Sequence, residues 1–162
     1  ARVLQEAGKR GVITSLDTVW DATGRWMQTL RPCLAYADYF MPSLAEAVEL
    51  TGKREPREIA RALRDCGVGT VCLKLGEEGC YVFDGEHELR VPVFRVTPVD
   101  GTGTGDAWDA GFLLGVLRGW DLEQSARFAN AVGAMCVRAV GATSGIRSME
   151  ETLEFMRETP LA

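Results

Sequence analysis

The stretch Val99 to Gly111, Val-Asp-Gly-Thr-Gly-Thr-Gly-Asp-Ala-Trp-Asp-Ala-Gly, constrains this chain more than any other. Glycines alternate with threonines, an aspartate follows, and Phe112 to Leu117 continues as an apolar run. The pattern predicts a strand end, a glycine loop and a helix N-terminus. The first N–H groups of a helix have no internal partner and carry the positive end of its dipole. Glycines let such a backbone close on an anion without a Cβ in the way. Gly103, Thr104 and Gly105 therefore form a candidate oxyanion cradle, with Asp106 directly beside it. The alternative is an ordinary glycine-rich turn whose acidic residue is favoured by the dipole.

Two common phosphate loops are excluded by spacing. A dinucleotide fingerprint starting at Gly101 requires glycine where Asp106 stands. A Walker A loop ends in Gly-Lys-Ser/Thr, whereas the Gly-Lys pairs here continue into Arg10 and Arg54.

The stretch resembles the second signature of the ribokinase-type (PfkB) carbohydrate kinases, Asp-Thr-Thr-Gly-Ala-Gly-Asp-x-Phe-x-Ala-Gly. Asp100, Thr102, Gly103, Gly105, Asp106, Ala110 and Gly111 match. Gly101, Thr104 and Trp108 depart from it, and none of these removes an acid or a glycine that the chemistry needs.

The remaining sequence is compatible with an enzyme of that kind. At 162 residues, with 46% apolar and 25% charged residues, the chain can bury a real core. A net charge of −5 argues against a nucleic-acid partner, and no apolar run approaches the roughly 18 residues of a membrane span. The five cysteines include no Cys-x-x-Cys pair, which points away from a zinc site and towards a reducing, cytoplasmic setting. His87 is the single histidine, which argues against His-based triads and His-rich metal sites.

Read in order, the chain alternates strand and helix signals. Ala1 to Arg10 reads as the last turns of a helix, and Val12 to Leu16 as a short buried strand closing at Asp17. Asp17 is either the cap of the next helix or an acid facing a ligand crevice. Trp20 to Ala37 carries a helical pattern interrupted by Pro32, with Trp20 and Trp26 as core. Tyr39 to Met41 is a second strand. Ser43 and Glu46 then read as a capping box opening a helix. Pro56 to Cys66 is amphipathic, Thr70 to Leu75 alternates as a strand, and Asp84-Gly85 joins two further strands. Asp121 with Gln124, and Ser148 with Glu151, open the last two helices. This alternation implies an α/β fold, a largely parallel sheet with helices on both faces.

The resemblance implies more. It gives a ribokinase-like three-layer α/β/α fold, of which residues 1–162 would be the C-terminal, nucleotide-binding and catalytic half. The N-terminal sugar-binding half and its lid would be absent, and any homodimer is expected to form through that half. Glu46-Ala47 and Leu50-Thr51-Gly52 match the family's Asn-x-x-Glu-Ala and Leu-Thr-Gly, with Ser43 replacing the asparagine, so Glu46 is expected to help hold Mg²⁺. Lys74-Leu75-Gly76 and Gly79 match a Lys-Leu-Gly-x-x-Gly element near the nucleotide, which implicates Lys74 and Gly76. Thr102, Gly103 and Gly105 would meet the nucleotide phosphates, and Asn130 would border the adenine. The turn from Val140 to Gly145, with Asp100 and Thr102 opposite, resembles a loop that binds a monovalent cation such as K⁺ through carbonyls. The activity implied is ATP-dependent phosphorylation of a sugar or sugar-acid hydroxyl, with Asp106 as base and Gly103, Thr104 and Gly105 as the anion hole. A nucleotide-binding module without catalysis, a nucleoside kinase and a structural α/β domain are the alternatives.

Overall fold

The computed structural model describes residues 1–162, which divide into two units. The first comprises Ala1–Leu75 with Tyr81–Leu89, and the second Gly76–Cys80 with Arg90–Ala162.

The first unit opens with α1 (Arg2–Lys9), which Gly11 ends at a φ of 69°. Strand β1 is only Ser15–Leu16, shorter than the apolar run predicts. Val12 and Ile13 are 55% and 53% exposed, because β1 is an edge strand whose pairing with β2 (Tyr39–Phe40) begins at Ser15. Helix α2 (Trp26–Leu34) makes the crossover between these parallel strands and carries Pro32 inside it. Trp26 is buried, but Trp20 stands in solvent with its ring edge-on to that of Trp26, so only one of the two tryptophans is core. Asp17 does not cap α2. Asp21 does that work, accepting from the backbone N–H groups of Arg25 and Trp26 at 2.8 Å each.

Helix α3 (Leu44–Thr51) and α4 (Pro56–Asp65) carry the chain to β3 (Thr70–Lys74), which pairs in parallel with β2. The expected alternation in β3 is absent. Thr70, Val71, Cys72 and Leu73 are all buried, the pattern of a strand covered on both faces. Leu34, Phe40, Ile59, Leu63, Val71 and Leu73 lead the core of this unit. A 3₁₀ turn (Gly76–Glu78) precedes β4 (Cys80–Phe83) and β5 (Glu88–Val91), which complete a five-stranded sheet in the order β1-β2-β3-β4-β5. Asp84 N–H donates to the His87 carbonyl at 3.3 Å and closes the hairpin between them.

The second unit is dominated by α5 (Thr104–Leu117) and α6 (Leu122–Cys136). They meet through small residues. A Cβ added at Gly115 would lie 2.5 Å from Ser125 Oγ, and one at Gly111 would lie 3.0 Å from Ala129 Cα. That approach explains the Ala/Gly-rich sequence of α6. Helix α7 (Met149–Glu158) packs Leu153 and Met156 against Phe128, Val132 and Cys136 of α6.

Candidate active site

In the second unit the glycine loop leads into α5 as the sequence predicts. Gly103 is the N-cap of α5, with φ +73° and no side-chain cap hydrogen bond. Two constraints fix glycine there. An L-residue is strained in that conformation, and a Cβ would lie 2.4 Å from Ala142 Cβ and 2.7 Å from Ala142 Cα. The glycine is thus required by the fold itself, whatever the loop binds. Thr104 N–H donates to the Gly101 carbonyl at 3.2 Å, so this member of the expected cradle is engaged within the loop. Its hydroxyl Oγ1 is sheltered from solvent and has no hydrogen-bond partner. Asp106 stands exposed in the first turn of α5.

Asp100 ties the loop to the turn after α6. One carboxylate oxygen accepts from Thr102 N–H at 2.9 Å and the other from Gly141 N–H at 2.8 Å. The amide of Gly141, followed by that of Thr102, holds the Asp100 carboxyl below its ordinary range. The carbonyls of Thr102 and Ala142, one from each segment, both lie within reach of the Cys136 thiol, at 3.8 and 3.2 Å. The two segments expected to share a cation through carbonyls are therefore adjacent.

Asn130 lies in the interior of the second unit. It is 2% exposed, its Oδ1 accepts from the Trp108 indole at 2.7 Å, and its Nδ2 donates to the carbonyls of Val91 and Pro92 at 3.0 Å each. Its carboxamide ties α5, α6 and the end of β5 together. Trp108, which replaces the phenylalanine of the signature, is the residue that uses it, and it stacks on Phe112 at 5.3 Å.

In the first unit, Ser43 and Glu46 form the predicted capping box. Glu46 Oε2 accepts from Ser43 N–H at 2.9 Å and from Ser43 Oγ at 2.6 Å, while Glu46 N–H donates to Ser43 Oγ at 3.4 Å. The second carboxylate oxygen of Glu46 is not used by the cap, and a carboxylate oxygen suits a hard cation such as Mg²⁺. Lys74, at the carboxyl end of β3, forms an ion pair of 2.8 Å with Asp17 at the end of β1. No local signal links these two, which are 57 residues apart. Gly76 opens the 3₁₀ turn just beyond, in the left-handed region at φ +63°.

Comparisons with known proteins agree with this architecture. A family model described as the pfkB family carbohydrate kinase matches residues 1–149. An uncharacterised sugar kinase of Archaeoglobus fulgidus is 35% identical over 122 residues, covering 75% of this chain and 48% of that protein. The 2-dehydro-3-deoxygluconokinase of Bacillus subtilis is 32% identical over 140 residues, covering 86% of this chain and 43% of that protein. The crystal structure of aminoimidazole riboside kinase from Salmonella enterica, complexed with aminoimidazole riboside and an ATP analog, superposes with a TM-score of 0.86 at 28% identity. That match covers 96% of this chain and 56% of the other. The chain thus spans about half the length of the relatives it matches. A mostly parallel sheet with flanking helices, a glycine-capped α5 carrying Asp106, and a family match across nearly the whole sequence lead to one conclusion: this chain belongs to the pfkB family of carbohydrate kinases, with their ribokinase-like three-layer α/β/α fold.

Proposed function

We propose that this chain is the C-terminal, nucleotide-binding and catalytic half of a kinase that transfers the γ-phosphoryl group of ATP to a sugar or sugar-acid hydroxyl. In this reading the sugar-gripping half and lid belong to sequence outside residues 1–162, and the protein works in the cytoplasm. The observation that carries the proposal is the N-terminus of α5. It has no side-chain cap, Gly103 stands at the cap position against Ala142, and Asp106 lies in its first turn. Such an end offers backbone donors to an anion and a carboxylate to a proton.

Asp106 accepts the proton of the attacking hydroxyl. The oxygen so released forms a bond to the γ-phosphorus, and the bond to the bridging oxygen of ADP breaks. N–H groups of Gly103 and Gly105 bear the charge on the phosphoryl oxygens, joined by that of Thr104 when it leaves the Gly101 carbonyl. The orphaned Thr104 hydroxyl gains a phosphate acceptor. Positioning and electrostatics dominate phosphoryl transfer, so a small set of groups suffices. Glu46 would be the protein-side carboxylate for Mg²⁺, which would supply neutralisation of the phosphate charge. Lys74, Gly76 and Thr102 complete the nucleotide contacts. Asp100 orders the loop that, with the Val140–Gly145 turn, would hold a monovalent cation such as K⁺.

The test is a phosphorylation screen of the full-length protein with MgATP against sugars, sugar acids and nucleosides. Transfer to one class supports the proposal. Binding of MgATP without transfer to any acceptor leaves a nucleotide-binding module instead, and preference for a nucleoside moves the substrate class.

A further inference from the structure

Lys74 and Asp17 end two strands that are not neighbours. β1 and β3 lie on either side of β2, and at about 4.8 Å per strand their ends are roughly 10 Å apart. The Lys74 stem must therefore run sideways past the end of β2 to bring its ammonium to 2.8 Å from Asp17 Oδ2. Immobilising a lysine costs rotamer entropy, and a partly solvated ion pair returns little stability. The side chains are 13% and 27% exposed, neither a surface pair nor a buried core pair. Asp17 Oδ1, moreover, is sheltered from solvent and lacks any hydrogen-bond partner. The ion pair thus uses one oxygen of Asp17 and leaves the other without a protein partner, which calls for an explanation. The Ser43 cap and Glu46 belong to the same carboxyl ends, since Ser43 bridges to Lys74 and Lys74 N–H donates to the Pro42 carbonyl at 3.0 Å. Ligands of open α/β sheets bind outside the carboxyl ends of the strands.

We propose that Asp17 is a positioning residue for Lys74, holding its ammonium across the end of β2 to meet the phosphate chain of the bound nucleotide. This rests on the phosphotransfer reading above. Asp17 places the cation before the nucleotide arrives, so its contribution falls on the rate more than on the affinity. A misplaced contact of this kind costs on the order of tenfold to a hundredfold.

The experiment is a double-mutant cycle in the full-length protein with Asp17→Ala, Lys74→Met and the pair, read by kcat, KM for ATP, MgATP affinity by calorimetry, and melting temperature. Expected is a fall in kcat of about tenfold or more for Asp17→Ala with KM for ATP changed far less, and no further fall when Asp17→Ala is added to Lys74→Met. Lys74→Arg, which keeps the charge and can still reach Asp17, should recover part of the rate. Unchanged kcat in Asp17→Ala, or an undiminished effect of Asp17→Ala in the Lys74→Met background, overturns the proposal. A drop in melting temperature with kcat intact also overturns it, by making the pair a structural one. Absence of any MgATP binding by the wild-type protein overturns the phosphotransfer reading itself.

Discussion

Four helix N-termini in this chain invite comparison. Those of α3, α6 and α7 are closed by side chains: Ser43, Asp121 and Ser148 each accept from a first-turn amide, and Glu46 and Glu151 reach back to complete capping boxes. The N-terminus of α5 has glycine in that place and no side-chain cap. A side-chain cap is worth about 1 kcal/mol, so leaving it out has a cost. A side-chain cap is also missing at α1 and α4, where Ala1 and Glu55 stand at the cap position, so an open end by itself marks no chemistry. Where Gly103 takes the cap position no side chain closes the end, Thr104 N–H turns back to the Gly101 carbonyl, and an acid stands in the first turn. What sets α5 apart is the combination of a left-handed glycine at the cap position with an acid in the first turn.

The largest effect should come from closing the gap at α5. Gly103→Val places a branched side chain at φ +73° and on top of Ala142. Backbone strain of about 1–3 kcal/mol is expected before the clash is counted. The substitution should lower both the melting temperature and kcat sharply, and Gly103→Ala should show the same pattern in weaker form. A variant that kept wild-type stability and turnover would show that the loop tolerates a side chain without loss, and the contrast between α5 and the three capped helices would lose its meaning.

Next in size is Asp106→Asn. Asparagine keeps the shape and hydrogen bonding of the side chain but takes no proton. General-base help is worth about 10²- to 10⁴-fold, so kcat should fall by at least about a hundredfold. ATP affinity should hold or improve, since a like charge near the phosphates is removed. Because Asp106 is exposed, the melting temperature should move little. Near-normal turnover would remove Asp106 from the chemistry and leave α5 as a binding end only.

How far the sequence shows these things depends on how local each interaction is. The caps at Ser43, Asp121 and Ser148 and the glycine loop are written in three or four consecutive residues, and each forms where its spacing predicts. The apolar run at Val12 and Ile13 predicts a buried strand, but burial needs a neighbour, and pairing with β2 begins only at Ser15. Asp17 reads as a cap or a crevice acid because its partner Lys74 is 57 residues away. Asn130 reads as a ligand residue by resemblance. Only the fold shows that an indole at Trp108 and two carbonyls already occupy its carboxamide. The exchange of phenylalanine for tryptophan in the signature was the one visible hint, since a buried indole N–H needs an acceptor.

A smaller effect separates stability from rate at α6. Asp121 Oδ1 accepts from Gln124 N–H at 2.7 Å. Asp121→Ala should cost about 1 kcal/mol, a fall of about 2–4 °C in melting temperature for a chain of this size. Turnover measured well below the melting transition should be unchanged. A rate defect here approaching the roughly hundredfold expected of a lost general base would mean that cap loss far from the chemistry slows turnover, and Asp106 would need a stricter control.

The finest comparison is between the two capping boxes, because they are built alike and only one is proposed to do more. Glu46 and Glu151 both sit at the third helical position and accept from the backbone N–H of their own cap serine, at 2.9 and 3.0 Å. Glutamine can make that bond too, so neither Glu46→Gln nor Glu151→Gln should unfold its helix. At α7 the Ser148 hydroxyl, followed by the Ser148 backbone N–H, holds the Glu151 carboxyl below its ordinary range. Its contribution is therefore present above the ordinary carboxylate range and lost as pH falls through the lowered value, and Glu151→Gln should flatten that acid-side loss while leaving catalysis alone. At α3 the cap occupies one carboxylate oxygen of Glu46, and the second is the oxygen proposed to face Mg²⁺. Glu46→Gln keeps the cap and weakens that oxygen as a ligand, since a hard cation favours the charged carboxylate. The Mg²⁺ concentration for half-maximal rate should rise severalfold in Glu46→Gln and stay at the wild-type value in Glu151→Gln. Superimposable Mg²⁺ titrations for all three proteins would make Glu46 a cap and nothing more, and the metal carboxylate would then have to be sought elsewhere in the protein.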